Sequence, residues 1–266
     1  MTRVPHRRHP ARPRADQAPL AEARPAPAPA GDLRSRGRPA GSRAFPGGAA
    51  GAALVAPKPR LRGWIHAVAA PIALAAGVVL AVRAPTAAAA VAAGIFVTTA
   101  IALFTVSAIY HLGAWSPPVR VILRRIDHAN IFFLIAGTYT PLAVLALHGG
   151  TRLAILCVAW GGATLGVVFR VALTTVPRWV YVPVYLGIGW AALFVLPQLL
   201  SGAGLAALVF VAVGGVLYTL GGVAYGLKRP DPWPRWFGFH EVFHACTVAA
   251  FACQYIAVSL VVYRGA

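Results

Sequence analysis

The chain has 266 residues, 59% of them hydrophobic and only 11% charged, with a formal net charge of +18. Soluble domains carry about 25% charged residues, so this deficit, with a mean hydropathy of +0.70, excludes an ordinary soluble domain and points to an integral membrane protein. The charge is uneven: residues 1–62 hold 13 of the 24 Lys and Arg against Asp16, Glu22 and Asp32, giving +10 there and +8 in the remainder. A basic segment beside a first membrane span reads as cytoplasmic and drawn to anionic headgroups. Nothing modular or aromatic accompanies it, so no nucleic-acid partner is expected.

Residues 1–60 are rich in Arg, Pro, Ala and Gly, with almost no periodic apolar positions. Such a segment cannot bury enough surface to fold and is expected to be disordered, leaving 61–266 as the membrane domain. Seven apolar runs follow, at about 64–82, 87–112, 127–147, 153–170, 179–197, 204–226 and 238–263. Each approaches the roughly 20 residues a helix needs to cross a bilayer. Pro71, Pro141 and Pro183 lie inside runs, where they are expected to kink helices without ending them. Gly162-x-x-x-Gly166 and Gly222-x-x-x-Gly226 suit close helix approach. The expected fold is therefore all-α, a seven-transmembrane-helix bundle with short connections. With the N-terminus inside, the inner loops carry Arg120, Arg124, Arg125, Arg170, Arg178, Lys228, Arg229 and Arg235, and the outer side only Arg83, Arg152 and Arg264. This asymmetry predicts a cytoplasmic N-terminus and an external C-terminus. Cys157, Cys246 and Cys253 all fall in apolar runs and read as small buried hydrophobes.

That topology brings distant polar residues to one depth. The second run ends with Ser107 and His111, the third begins at Asp127, and the seventh begins with His240 and His244. All five fall at the cytoplasmic level. Ser107 and His111 share a helix face, as do His240 and His244, because residues four apart are neighbours. Ionisable residues within membrane spans are costly and mark function. Three histidine nitrogens suit Zn²⁺ and leave a fourth position open. Asp127 either ligates directly or holds and deprotonates a water, the second being the preferred reading. Ser107 is expected to bond the water, a substrate or a ligand's free nitrogen. Glu241 is about 100° from His240; it could reach the rim, pair with Arg235 or lie at the interface. His66, at the cytoplasmic start of the first run, could line the same chamber but is read first as an interfacial histidine; His128 reads as facing elsewhere, and His148 as lying at the outer end. Tyr110, Tyr139 and Trp115 read as packing or interface residues.

The strings Ser107-Ala-Ile-Tyr110-His111, Asp127-His-Ala-Asn-Ile-Phe-Phe-Leu-Ile-Ala-Gly-Thr-Tyr-Thr-Pro141 and His240-Glu-Val-Phe-His244 resemble the bacterial hemolysin III family. That family is related to the progestin and adiponectin receptors and, more distantly, to the alkaline ceramidases. The resemblance covers about residues 60–263. It implies a seven-helix bundle with zinc near the cytoplasmic face, held by His111, His240 and His244, with Asp127 holding a water and Ser107 close by. It also implies amide hydrolysis on a lipid-like substrate, by analogy with the ceramidases.

Four functions follow for the structure to weigh. The first is a zinc-dependent membrane hydrolase acting on a lipid amide, with membrane lipids as its partners. The second is a receptor-like or regulatory protein with structural zinc. The third is a cytolysin or pore, for which the sequence offers no charged ring or amphipathic stripe. The fourth is a membrane metalloprotease, since His-Glu-x-x-His is present and would make Glu241 a general base. The last leaves His111 and Asp127 unexplained.

Overall fold

The computed structural model describes residues 58–172 and 177–264. The predicted disorder of residues 1–60 falls outside the described residues except at Lys58, Pro59 and Arg60, which are placed against the helical domain. The helices are α1 (Trp64–Val82), α2 (Ala87–Leu112), α3 (Pro117–Ala146), α4 (Gly149–Ala172), α5 (Arg178–Gly189), α6 (Leu196–Ala203), α7 (Leu205–Leu227) and α8 (Phe239–Tyr263), with a 3₁₀ turn, Trp190–Val195, joining α5 to α6. Seven spans are long and apolar enough to cross a membrane, the fifth being the broken helix Val180–Ala203. Among the described residues there is no strand, only an isolated bridge between Trp233 and Phe237. This is a multi-pass, all-helical membrane protein.

Two elements depart from the sequence expectation. α3 begins ten residues early, at Pro117. Proline suits a helix's first turn because the N–H there has no intrahelical partner. The extra turns carry Arg120, Arg124 and Arg125, which the apolar pattern had assigned to a loop. The fifth span breaks at Gly189–Trp190, although Pro183 lies inside α5. The hydroxyl of Tyr139 donates to the Gly189 carbonyl at 2.6 Å and accepts from the Ala192 N–H at 2.9 Å. One α3 side chain thus satisfies both backbone groups that the break leaves open.

α3 is the axle: two-thirds of its best apolar window is buried, more than in any other span. On one side Phe132, Ala136, Tyr139 and Leu142 pack with α4, the broken span and α7. On the other, Leu134 joins Phe96, Phe104, Phe251 and Val258 of α2 and α8. Large apolar side chains such as Ile72, Leu165, Phe194 and Leu205 face outward, as lipid-facing surfaces require. Gly166 lies so close to Phe132 that a Cβ there would overlap the ring, and Gly162 and Gly222 meet Ile188 and Leu186, whereas a Cβ at Gly226 would meet open space. The small-residue spacing is therefore used fully in α4 and only at its first position in α7.

Residues 58–63 form a strap across the ends of α2 and α8. Lys58 Nζ donates to the His111 carbonyl, Arg60 and Leu61 N–H groups bond the carbonyls of Arg235 and Trp236 at 3.0 and 3.2 Å, and Arg62 pairs with Glu241. Gly63 then turns into α1 with φ of +91°, and a side chain there would strike His111 Cβ. Only glycine takes that backbone without strain.

Candidate metal centre

His111 sits in the last turn of α2, and Ser107 lies one turn before it; both are buried. His240 and His244 stand in the first two turns of α8. The α8 start is fixed from several sides. The Phe239 N–H bonds Asp231 at 2.8 Å, and the Glu241 carboxylate accepts from the Gly238 N–H at 2.9 Å. Both satisfy orphan donors of the first turn and place negative charge at the helix's positive end.

The three rings converge. His111 Nε2 and His240 Nε2 are 3.1 Å apart, and one potential ligand atom from each of His111, His240 and His244 lies within 4.8 Å of the others. Nδ1 of His244 is buried and has no hydrogen-bond partner among the described residues. A tetrahedral ion with bonds of about 2.0–2.1 Å would place its nitrogens about 3.4 Å apart. Three buried imidazoles turned towards one point, one with an unsatisfied nitrogen, therefore fit a metal ion.

Asp127 is not among these mutually close ligand atoms. It lines the same cavity from α3. Ser107 lines that cavity beside it, and the Asp127 carboxylate stands 3.3 Å from His128 Nδ1. The structure thus brings Ser107, His111, Asp127, His240 and His244 together.

Three neighbours depart from expectation. His128 does not face elsewhere. Its Nδ1 lies 2.8 Å from the Arg124 carbonyl, which can only accept, so that nitrogen carries the proton. Nε2 of a neutral ring then accepts from the Tyr225 hydroxyl at 3.2 Å. His128 therefore lies against Asp127, at 3.3 Å, with its proton committed to the Arg124 carbonyl, a placement that helical angle alone concealed because the side chain swings back towards its own preceding turn. His66 is not interfacial. It is 2% exposed, stacks on His244 at 3.9 Å with the rings 7° from parallel, and neither nitrogen has a partner among the described residues. Its position at the start of the first apolar run was the available signal. Glu241, fully buried, binds Arg62 and caps α8 instead of turning to the histidines. Arg62, not Arg235, is its partner. A carboxylate so engaged is poorly placed as a general base, which weakens the metalloprotease reading. His148 and Cys157 are exposed, and Cys246 and Cys253 half-buried; none joins the cluster.

Lys58 lies outside the spans. Its burial, and then the nearby Arg62 and Arg120, push its ammonium below the ordinary lysine value, with Glu241 acting in the opposite sense.

The cluster closes one end of a cavity of about 130 Å³. Its polar end is lined by His66, Ser107, Asp127, His128, His240 and His244, and its body by side chains such as Ile131, Leu134, Leu142, Leu186 and Leu208. Along α3 the lining runs from Asp127 to Leu142, a rise of about 22 Å, against a hydrocarbon core of about 30 Å. At the far end Leu193 and Leu196 line it and are themselves exposed on the lipid-facing surface.

The fold and the cluster define a class: seven-span membrane proteins with a buried three-histidine group able to hold a metal ion at one end of an apolar chamber. The chain belongs to the haemolysin-III related family, whose model matches residues 55–255. It is 31% identical over 169 residues to the hemolysin-3 homolog of Bacillus subtilis (strain 168), covering 62% of this chain and 74% of that protein. It is 27% identical over 147 residues to hemolysin-3 of Bacillus cereus, covering 53% of this chain and 62% of that one.

Proposed function

We propose that this protein is a zinc-dependent membrane hydrolase that cleaves a lipid amide near the cytoplasmic face. The observation that carries the reading is the position of Asp127: outside the mutually close set of the three histidines, yet lining the polar end of the same apolar chamber as His240 and His244. Zinc held by His111, His240 and His244 would retain an open position and lower the pKa of water there towards neutrality.

The chain's own residues supply the rest. The apolar chamber receives the acyl chain and brings the amide carbonyl to the polar end. Asp127, beside Ser107 and His128, orients a water and accepts its proton as the oxygen attacks the carbonyl carbon. The carbon–nitrogen bond breaks, and the proton passes from Asp127 to the departing amine. The products are a fatty acid and an amine.

A structural ion is the second reading, because the same three ligands fasten the end of α2 to the start of α8. Asp127→Asn separates the two. The hydrolase reading expects purified Asp127→Asn protein to retain most of its zinc and its melting temperature while losing turnover on a ceramide-like amide. Release of zinc with loss of stability would favour the structural ion. Unchanged turnover would overturn the mechanism.

A further inference from the structure

The chamber carries a second polar station deep in the membrane, remote from the histidines. Gln254 of α8 lines it and is only 5% exposed. Its amide orientation is fixed, because Nε2 donates to the Val211 carbonyl at 3.2 Å. That leaves Oε1, an acceptor, buried and without a partner among the described residues. Tyr218 also lines the chamber, and its hydroxyl is likewise buried and unpartnered.

The two belong to one place. Gly214 lies against Gln254, and a side chain there would displace the amide. Tyr218 is one turn from Gly214 on the same face of α7, and it lines the same chamber as Gln254. Other polar groups at this end are satisfied: Trp190 Nε1 bonds Thr219, and Thr219 bonds the Gly215 carbonyl. Unmade hydrogen bonds are expensive away from water, more so in hydrocarbon. An acceptor and a hydroxyl left open in a chamber whose body is largely apolar need a partner that enters with the ligand.

We propose that Gln254 and Tyr218 form a subsite for a hydroxyl group borne partway along a lipid chain. The chain hydroxyl donates to Gln254 Oε1 and accepts from the Tyr218 hydroxyl. Gln254 is ten residues past His244 on one helix, a rise of about 15 Å. The hydroxyl therefore lies about half the hydrocarbon thickness from the head of a chain anchored at the histidines. This inference rests on the lipid reading above and adds which chain is preferred.

The test is displacement of radiolabelled stearate from the full-length protein in nanodiscs. The competitors are unlabelled stearate and hydroxystearates with the hydroxyl beside the carboxylate, mid-chain or at the tail. Wild type should prefer the mid-chain isomer over stearate by about tenfold, the worth of one otherwise unmade buried hydrogen bond. Gln254→Leu should abolish that preference while still binding stearate. Tyr218→Phe, which keeps the ring, should reduce it and serves if Gln254→Leu fails to fold. Stearate binding without a hydroxyl preference, or a preference that survives both changes, would overturn the subsite and leave the lipid reading standing. If no chain binds at all, the lipid reading fails and the subsite fails with it.

Discussion

At the residue scale, the site is three imidazoles turned towards one another, with His66 stacked on His244. His111 and His240 turn their Nε2 atoms together at 3.1 Å, and His244 keeps an unsatisfied nitrogen. Removing any one ring should remove most of the bound metal. His111→Ala, His240→Ala and His244→Ala are each expected to lose metal by elemental analysis and to melt at a temperature no longer lowered by a chelator. His148→Ala and Cys157→Ala, exposed and distant, should keep the wild-type metal content. Glu241 makes the opposite prediction from its sequence motif. Its carboxylate is committed to Arg62 and the α8 cap, so Glu241→Ala should destabilise by about 3 kcal/mol through a broken buried pair and a lost cap. Glu241→Gln, which can still accept from the Gly238 N–H, should retain metal and any turnover. Loss of turnover in Glu241→Gln without loss of metal or stability would restore Glu241 as a base.

At the element scale, the broken fifth span and the strap are the two features that apolar pattern could not anticipate. The break is held by a single hydroxyl, with Tyr139 bonding both Gly189 and Ala192. Tyr139→Phe keeps the ring and leaves the buried Ala192 N–H and the Gly189 carbonyl without this partner, so it should cost about 1–3 kcal/mol. Thermal unfolding in detergent measures this; an unchanged melting temperature would mean that the break does not depend on α3. The strap acts by fastening. Lys58 bonds the carbonyl of His111, at the negative end of α2 where a cation is favoured. Arg62 binds the residue next to His240. The segment thereby ties together the two helix ends that supply all three histidines.

At the scale of the whole molecule, seven spans predict termini on opposite sides of the membrane. The expected sign of that arrangement comes from basic residues: Arg120, Arg124, Arg125, Lys228, Arg229 and Arg235 fall near the histidine end in the topology expected from sequence. The positive-inside bias then predicts that the candidate centre faces the cytoplasm. A reporter active only outside the cytoplasm, fused at Ala266, should be active, and one inserted near Ser116 should be silent. The reverse pattern would move the centre to the external face and with it the side from which any product leaves.

The sequence by itself determined the spans, because a bilayer demands about twenty apolar residues per crossing and this demand is written locally. It also leads to the expectation of one level for His111, Asp127, His240 and His244, since depth follows from counting residues along each helix. What it could not determine was direction around and between helices. His66 and His128 were misplaced for that reason: one proved buried against His244, the other bonded towards Asp127 and Tyr225. Glu241 caps its own helix locally, yet its decisive partner, Arg62, lies 179 positions away. The chamber, its apolar length and the open Oε1 of Gln254 arise only when α3, the broken span, α7 and α8 pack together. Periodicity reports how far along a helix a residue lies; which surface it meets is decided by the packing of side chains far apart in the chain, and only the tertiary structure holds that information.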